Sequence, residues 1–255
     1  MANKITFLGT GTSQGIPVIG CKCPVCLSSD SRDKRLRTSA FIEYEGLRII
    51  IDAGPDFRQQ LLANNISEID GIILTHSHKD HTGGLDDIRA FNYNLQKDVP
   101  VYCEQRVLES LEKQYYYAFE DHKYPGVPMF DIRLIDEKPF KINGIEIIPV
   151  RAIHYRMPVL GYRFGDLGYL TDASAISDES VELFKGVKVF VISTIRREPH
   201  ISHFTLDQAL QVASRTGASQ VYLTHISHQL EPYAQLSKNL PEGVLPAYDG
   251  LQVSF

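Results

Sequence analysis

Short apolar runs rich in β-branched residues recur along the chain, and several are bounded by glycine, asparagine or aspartate. Runs of this length and content are typical of buried β-strands. Glu45-Gly46 and Asn143-Gly144 each separate two such runs, as tight hairpin turns do. The pattern predicts strands at residues 4–8, 39–44, 47–51, 71–74, 99–103, 145–150, 161–164, 168–170, 187–192 and 221–223.

Longer stretches of mixed apolar and polar residues between these runs predict helices. The predicted helices cover residues 55–64, 85–96, 104–120, 178–185 and 205–215. Strands that alternate with helices, together with hairpins, in two similar halves predict an α/β fold. In such a fold two sheets pack face to face and helices cover their outer faces. No linker or low-complexity segment interrupts the chain, so we expect one domain over residues 1–255.

The composition is that of a globular protein, with 255 residues, 43% of them hydrophobic and 22% charged. The net charge of −5 lacks the basic excess with which proteins usually meet a phosphate backbone, so we expect no nucleic-acid partner. No apolar run approaches the roughly 20 residues needed to span a bilayer, and residues 1–8 lack the pattern of a signal peptide. We therefore expect a cytoplasmic protein with no membrane partner.

A cluster of histidine and aspartate follows the apolar run at residues 71–74. His76 and His78 are two residues apart, so in an extended chain they point to the same side and can hold one ion. Asp80 and His81 follow where the chain turns and can serve a second ion. Imidazole and carboxylate suit zinc, manganese or iron. A histidine-rich loop without function is the simpler interpretation, but this density of ligands after a buried strand favours a metal site.

Three of the four cysteines also lie close together. Cys21, Cys23 and Cys26 have the spacing of a compact zinc half-site, which needs a fourth ligand from elsewhere. Such clustering suits a metal in a reducing compartment better than a disulfide framework. Cys103, at the end of the run at residues 99–103, is typical of a core residue instead.

These motifs resemble those of the metallo-β-lactamase superfamily. His-x-His-x-Asp-His after an apolar strand is the signature of that superfamily, and Asp52-Ala53-Gly54 resembles its earlier strand-end motif. The similarity is greater to one branch, the phosphoribosyl cyclic phosphate phosphodiesterases of phosphonate breakdown. That branch carries Cys-x-Cys-x-x-Cys near its start and Thr-His-Ile-Ser-His-Gln near its end, which residues 21–26 and 224–229 match. The resemblance spans nearly the whole chain.

The resemblance implies a four-layer αβ/βα sandwich with two divalent ions, Mn²⁺ or Zn²⁺, at one edge of the sheets. The ligands that it implies for this dinuclear site are His76, His78, Asp80, His81, His154, Asp172 and His225. One ion would be held by His76, His78 and His154, the other by the remaining ligands, with Asp172 shared between them. The second histidine of the terminal motif, His228, would complete a structural Zn²⁺ site with the three cysteines. The resemblance also implies a homodimer.

Two divalent ions about 3.5–4 Å apart can hold a bridging hydroxide and stabilise a displacement at phosphorus. The expected reaction is therefore hydrolysis of a small cyclic phosphodiester of the phosphoribosyl type. Asp80 could orient the hydroxide as well as bind an ion. The family keeps a catalytic histidine ahead of a helix, which is His203 here, although a capping or core histidine is the alternative. Arg196 and Arg197 could contact a phosphate or be solvated.

Other hydrolases of this fold, namely thioesterases and RNA-processing nucleases, share the ligand set. A lactamase of the main zinc class would have arginine in place of His81 and a cysteine among its later ligands, and neither is found here. The alternative from a different class is a non-catalytic metal or ligand carrier. The complete set of ligand residues argues against it. Residues 104–128 match no motif of the phosphonate enzymes and fit either a packed helix with its connection or a flap or subunit contact.

Overall fold

The computed structural model describes residues 3–255, in which fourteen β-strands form two seven-stranded sheets. The strands are β1 (Lys4–Gly9), β2 (Ser39–Tyr44), β3 (Leu47–Ile51), β4 (Gly71–Ile73), β5 (Val99–Cys103), β6 (Phe130–Leu134), β7 (Phe140–Ile142), β8 (Ile145–His154), β9 (Met157–Phe164), β10 (Leu167–Leu170), β11 (Val189–Ser193), β12 (Gln220–Thr224), β13 (Val244–Pro246) and β14 (Gln252–Ser254). The first sheet has the order β14-β1-β2-β3-β4-β5-β6, and the second has the order β13-β12-β11-β10-β9-β8-β7.

Short helices connect the strands in the same described part of the chain. They are α1 (Pro24–Leu27), α2 (Phe57–Ala63), α3 (Lys79–Thr82), α4 (Arg89–Leu95), α5 (Gln105–Gln114), α6 (Tyr116–Phe119), α7 (Asp178–Leu183), α8 (Leu206–Thr216) and α9 (Tyr233–Asn239), with 3₁₀ turns at Ser31–Asp33 and Leu85–Ile88. Over residues 3–255, none of these helices combines the length and the apolar character that a membrane span requires.

Successive side chains of each strand point to opposite faces of its sheet, and both faces are covered, which gives the fold four layers. Ile49 and Ile51 of β3 lie in the core between the two sheets, whereas Ile50 faces the outer cluster that contains residues of α2 and α5. In β11, Val191 faces the central core and Phe190 faces the cluster formed with α7 and α8. This period of two is that of strands buried on both faces. The predicted αβ/βα sandwich is confirmed.

The strands that supply the site run parallel and end at one edge of each sheet. β3, β4 and β5 are parallel in the first sheet, and β10, β11, β12 and β13 are parallel in the second. Three residues within two positions of the ends of these strands, Asp52, Asp172 and His225, have a left-handed backbone with φ of 61°, 51° and 53°. Because non-glycine residues rarely adopt this conformation, its recurrence at strand ends is typical of a functional site.

The structure differs from the predicted elements in two places that matter for the site. Strand β8 continues four residues past the predicted end and finishes at His154. The helix predicted at residues 104–120 is broken into α5 and α6 at Tyr115, whose φ and ψ are −120° and 36°. At this break the buried Tyr115 hydroxyl donates a hydrogen bond of 2.6 Å to the carbonyl oxygen of Thr82, so the helical segment is fixed to the histidine turn.

Candidate metal centre

The histidine motif forms a tight turn that packs on the Asp52-Ala53-Gly54 segment. His78 is the N-cap of α3, so Asp80 lies in the first helical turn. The Ala53 N–H donates to the carbonyl oxygen of His81 at 2.7 Å. A Cβ on Gly54 would lie 2.0 Å from the carbonyl oxygen of Asp80, so only glycine permits this approach. The two motifs therefore form one compact unit at the ends of β3 and β4.

The seven predicted active-site ligands come together in two groups. The ligand atoms of His76, His78 and His154 lie within 4.8 Å of one another. The same holds for the second group, which comprises Asp80, His81, Asp172 and His225. All of them are buried or half-buried except His78, which is exposed. The structure thus brings the seven side chains together in the two groups that the resemblance implied, and their binding of ions stays a prediction.

The Asp172 carboxylate lies between the two groups. Its Oδ1 is 3.3 Å from Nε2 of His81 and 3.1 Å from Nδ1 of His225, and its Oδ2 is 4.0 Å from Nε2 of His76. Asp80 Oδ2 is 3.4 Å from the same His81 nitrogen. Two ligands of one tetrahedral zinc ion, each bound at about 2.1 Å, lie roughly 3.4 Å apart. Most of these separations fit atoms that share an ion.

Buried nitrogen atoms without a hydrogen-bond partner point to the same conclusion. Nε2 of His76 and Nε2 of His81 are both buried and accept or donate no hydrogen bond among residues 3–255. Leaving such atoms without a partner is costly, and they are rare in native proteins. A divalent cation would satisfy both nitrogens and both carboxylates, so the donor set fits the two ions that the sequence predicts.

Partners outside the two groups fix the orientation of the imidazoles. Nδ1 of His81 is 2.6 Å from Asp52 Oδ2, and the Thr75 N–H and hydroxyl each donate to the Asp52 carboxylate at 2.8 Å. Nδ1 of His154 donates to the carbonyl oxygen of Ser202 at 2.6 Å. Such contacts determine which ring nitrogen faces a metal. This role of Asp52 was not predicted, although its place after a strand was the signal for one.

The carboxylates of the centre are held in the ionised form. Burial raises the pKa of Asp172, but the neighbouring imidazoles of His225 and His81 outweigh burial and leave this pKa well below its ordinary value. The balance is the same for Asp80, where burial is opposed mainly by His81. Burial in turn lowers the pKa of His76 well below its ordinary value. Burial also lowers the pKa of His81, but the Asp172, Asp52 and Asp80 carboxylates outweigh burial and leave this pKa well above its ordinary value. The carboxylates thus create a negative environment in which a cation is stable.

His203 lies at the edge of the centre, ahead of α8. Its Nδ1 is 3.9 Å from Asp172 Oδ2, and its ring centroid is 4.6 Å from that of His154. This nitrogen is buried and has no hydrogen-bond partner in the described structure. Burial lowers the pKa of His203 to about 3, so the imidazole is neutral at pH 7. His200, three residues earlier, instead has its Nδ1 3.3 Å from the backbone nitrogen of Ser202, which donates to it.

The cysteine cluster forms a separate group with His228, three residues after His225. Sγ of Cys21 and of Cys23 lie 3.2 Å and 3.4 Å from Nδ1 of His228, and the ligand atoms of the three cysteines and His228 all lie within 4.8 Å of one another. The three cysteines of this group are free thiols. Burial raises the pKa of Cys23, but the N–H of Cys26 and other hydrogen bonds lower it to about 6. A thiol of this kind is ready to bind a metal as thiolate.

The two arginines proposed as phosphate contacts are engaged elsewhere. Arg196 donates to the carbonyl oxygens of Glu198 and Pro199 in its own loop, and Arg197 pairs with Glu231 at 2.8 Å. Both side chains therefore stabilise the loop that precedes His203. Neither is free to reach a substrate without breaking these contacts.

A family model described as a β-lactamase superfamily domain matches residues 47–226. In a solved structure described as a new diphosphatase from the PhnP family, the protein is 38% identical to this chain, and the match covers 99% of this chain and 98% of the other with a TM-score of 0.92. The chain belongs to the PhnP family of the β-lactamase superfamily. The resemblance seen in the sequence is thereby confirmed.

Two further relatives extend the comparison. A curated protein of Porphyromonas gingivalis named octanoyltransferase is 40% identical over 98% of this chain. The chain spans about half the length of that relative, 51%, so the name applies to a longer protein. Zinc-bound PqqB from Methylobacterium extorquens has a TM-score of 0.78 at 17% identity, with 99% of this chain and 100% of PqqB covered, and shows that the fold is shared.

Proposed function

We propose that this protein is a dinuclear metal-dependent hydrolase that cleaves a small phosphodiester, with a cyclic phosphate of the phosphoribosyl type as the leading substrate. The observation that carries the proposal is the Asp172 carboxylate between two complete groups of ligands. The similarity to a protein described as a diphosphatase supports chemistry at phosphorus. It also makes a diphosphate the natural second test substrate.

Each group of ligands has a defined part in this proposal. His76, His78 and His154 would hold one ion, the other group would hold the second, and Asp172 would contact both. When bound, two such ions polarise a phosphoryl oxygen and lower the pKa of a water molecule to near neutrality. The native ions are Mn²⁺ or Zn²⁺ in this proposal, since imidazole and carboxylate ligands suit either.

Asp80 and His203 act on the reacting groups themselves. The Asp80 carboxylate is ionised and half-buried, so it accepts a hydrogen bond from the attacking water and fixes its direction. His203 is neutral before substrate binds, and a neutral imidazole still donates an N–H to an oxygen. We assign it the leaving oxygen, where this donor stabilises the charge that develops.

The cysteine cluster has a structural part in the proposal. Cys21, Cys23, Cys26 and His228 supply four ligands, which leaves a tetrahedral Zn²⁺ ion no position for substrate. His228 lies three residues after His225, and the Ile226 N–H between them donates to the carbonyl oxygen of Thr10 at 2.8 Å. This zinc would therefore hold the segment that presents His225.

The test is phosphorus NMR of ribosyl cyclic phosphate incubated with protein loaded with Mn²⁺ or Zn²⁺, with ion content measured by mass spectrometry. We expect conversion to a phosphomonoester by the wild type. Asp80→Ala, which removes a ligand and the acceptor for water, should lose at least about a hundredfold in rate. Asp166→Asn, at an exposed turn, is the matched control and should keep the wild-type rate.

Three further results would change the assignment. Cleavage of a nucleoside diphosphate derivative but not of the cyclic ester would move the substrate to the diphosphate class. Cleavage of an octanoyl thioester alone would favour the acyl chemistry that the name of the Porphyromonas gingivalis relative suggests. If fully loaded protein cleaves none of the three compounds, the hydrolase proposal is wrong and a metal or ligand carrier is favoured.

A further inference from the structure

One peptide group in the loop before α8 lies between two residues of the proposed reaction. The carbonyl oxygen of Ser202 accepts the hydrogen bond of 2.6 Å from Nδ1 of His154, a proposed ligand of the first ion. His203, the proposed donor to the leaving oxygen, is the next residue. A shift of this peptide would therefore turn the His154 ring and displace His203 at the same time.

The loop that contains this peptide is fixed at both ends. Before it, the Arg196 guanidinium donates to the carbonyl oxygen of Pro199 at 2.6 Å. After it, the Phe204 N–H donates to the carbonyl oxygen of Ala173 at 2.7 Å. Between these two anchors, the Ser202 N–H is the only backbone N–H that donates a hydrogen bond within the described part of the chain. The contacts of Ser202 therefore decide how the middle of the loop is held.

His200 is the acceptor for this N–H. Its Nδ1 lies 3.3 Å from the backbone nitrogen of Ser202 and also 3.3 Å from the Ser202 hydroxyl. Nδ1 can accept a hydrogen bond only when it carries no proton. Burial, followed by the charge of Arg196, lowers the pKa of His200 below its ordinary value of 6.5, so the ring is neutral at pH 7. Nδ1 is therefore available as an acceptor.

The His200 ring also packs against the proposed leaving-group donor. It is half-buried, and its centroid lies 5.2 Å from that of His203. The His203 centroid in turn lies 4.6 Å from that of His154, so the three rings are in consecutive contact. His200 itself belongs to neither ligand group, and the proposed reaction gives it no part.

We infer that His200 is a positioning residue for this site. By accepting from the Ser202 N–H, it fixes the peptide whose two sides determine the orientation of His154 and the place of His203. This inference rests on the proposed function, in which these two histidines bind an ion and face the leaving oxygen. Partners that orient a metal ligand typically contribute ten- to a hundredfold to metal affinity or activity. Misplacement by about 1 Å can cost a similar factor in rate.

Two substitutions of His200 test the inference. His200→Leu removes the acceptor but keeps an apolar body, whereas His200→Asn keeps an acceptor, because Oδ1 can take the place of Nδ1. With ribosyl cyclic phosphate and zinc-loaded protein, we expect His200→Leu to lose about ten- to a hundredfold in rate. The loss should fall on kcat more than on KM, since the contact of His203 with the leaving oxygen strengthens in the transition state. His200→Asn should stay close to the wild type.

A second measurement follows the hydrogen bond of His154 and needs no turnover. In zinc-loaded wild type labelled with ¹⁵N, the Nδ1–H proton of His154 should give a downfield resonance that exchanges slowly with water, because it is buried and bonded at 2.6 Å. His200→Leu should lose this resonance to fast exchange. His200→Asn should retain it.

A matched histidine provides the control. His122→Leu changes an exposed histidine in the loop between α6 and β6 and should alter neither the rate nor the resonance. The inference is overturned if His200→Leu keeps both, or if His200→Asn loses both. The second outcome decides even where His200→Leu does not fold. If zinc-loaded wild type cleaves no test compound, the proposed function fails, and the His154 resonance still decides whether His200 fixes the Ser202 peptide.

Discussion

At the scale of single residues, the orientation of the candidate metal centre depends on side chains outside the two ligand groups. Asp52 is fully buried and accepts hydrogen bonds from the Thr75 N–H and hydroxyl as well as contacting His81 Nδ1. Both carboxylate oxygens are thus used as acceptors. This leaves Nε2 of His81 to face Asp80 and Asp172. Asp52 is therefore a positioning residue for His81, which we propose as a ligand of the second ion.

Replacing Asp52 by asparagine should weaken the second ion while leaving the first in place. The amide would present an N–H₂ group where either Thr75 or His81 now donates, so one contact becomes repulsive. Loss of such a contact typically costs ten- to a hundredfold in metal affinity, about 1.4–2.8 kcal/mol. Calorimetric titration of metal-free protein with Mn²⁺, which thiolate ligands disfavour, would measure the two affinities without a contribution from the cysteine site.

Thr82 provides a useful comparison for this experiment. Its hydroxyl donates to the carbonyl oxygen of His78 at 3.1 Å and does not contact an imidazole. Thr82→Val keeps the shape of the side chain and should leave both ion affinities near those of the wild type. If Asp52→Asn also binds both ions with unchanged affinity, Asp52 does not position His81 in the way its geometry indicates.

At the scale of secondary-structure elements, helix α8 holds the segment that carries His203. Thr205 caps this helix, and its hydroxyl accepts from the Gln208 N–H at 3.3 Å while the Gln208 side chain accepts from the Thr205 N–H at 2.9 Å. The start of the helix is also bonded to the backbone of Arg196, because the Leu206 N–H donates to the carbonyl oxygen of Arg196 at 2.9 Å. The position of His203 is thus a consequence of where α8 begins.

Thr205→Ala should lower the free energy of unfolding by about 1 kcal/mol, because the capping hydroxyl is lost. Urea denaturation followed by circular dichroism measures this change. Thr205→Ser retains the hydroxyl and serves as the matched variant, so its stability should stay close to that of the wild type. Equal stabilities of the alanine and serine variants would show that the capping box does not stabilise the helix.

Local pattern determined some element boundaries, and tertiary contacts determined others. The limits of β2, β3 and β5 were predicted from the sequence because apolar runs end there at turn residues. The break at Tyr115 was missed, since residues 104–120 favour one helix and the interruption follows from the contact between Tyr115 and Thr82. Strand β8 was predicted too short because Arg151 and His154 are polar and interrupt the apolar run. In the fold their side chains bind Glu104 and the carbonyl oxygen of Ser202, and the strand continues to His154.

The candidate site shows the same division. Its ligand residues were predicted because the histidine motif and the order of later residues are local signals that resemble a family. The role of Asp52 was missed because a carboxylate after a strand does not reveal its partners, and its contacts with His81 and Thr75 depend on how two strand ends meet in the fold. Arg196 and Arg197 were considered for their charge alone, and their partners became visible only in the fold.

At the scale of the whole molecule, the metal centre depends on how the two sheets are held against each other, because each sheet supplies part of the ligand set. Apolar packing provides most of this contact, with one charged connection near the site. Glu104, which follows β5 in the first sheet, pairs with Arg151 of β8 in the second through contacts of 2.5 Å and 3.0 Å. Glu137 also contacts Arg151, at 2.9 Å.

Glu104→Gln should destabilise the protein by about 1–3 kcal/mol at pH 7, since it removes a charge-assisted pair that is largely shielded from water. Burial raises the pKa of Glu104, but hydrogen bonds from Arg151 and Arg106 outweigh it and lower this pKa below its ordinary value of 4.5. A lowered carboxyl pKa means that the stabilisation is present above pH 4.5 and is lost as the pH falls further. The difference in free energy of unfolding between Glu104→Gln and the wild type should therefore become smaller as the pH falls below 4.5.

Urea denaturation of both proteins from pH 7 down to the acid limit of folding would measure this narrowing. Glu68→Gln is the matched control, because Glu68 also pairs with an arginine, Arg48, but its side chain is 59% exposed and the pair is open to solvent. Exposed pairs of this kind contribute about 0–1 kcal/mol, so this variant should show a small difference at every pH. A Glu104→Gln effect that is equally small, or that does not change with pH, would show that the sheets are held together by apolar packing without this ion pair.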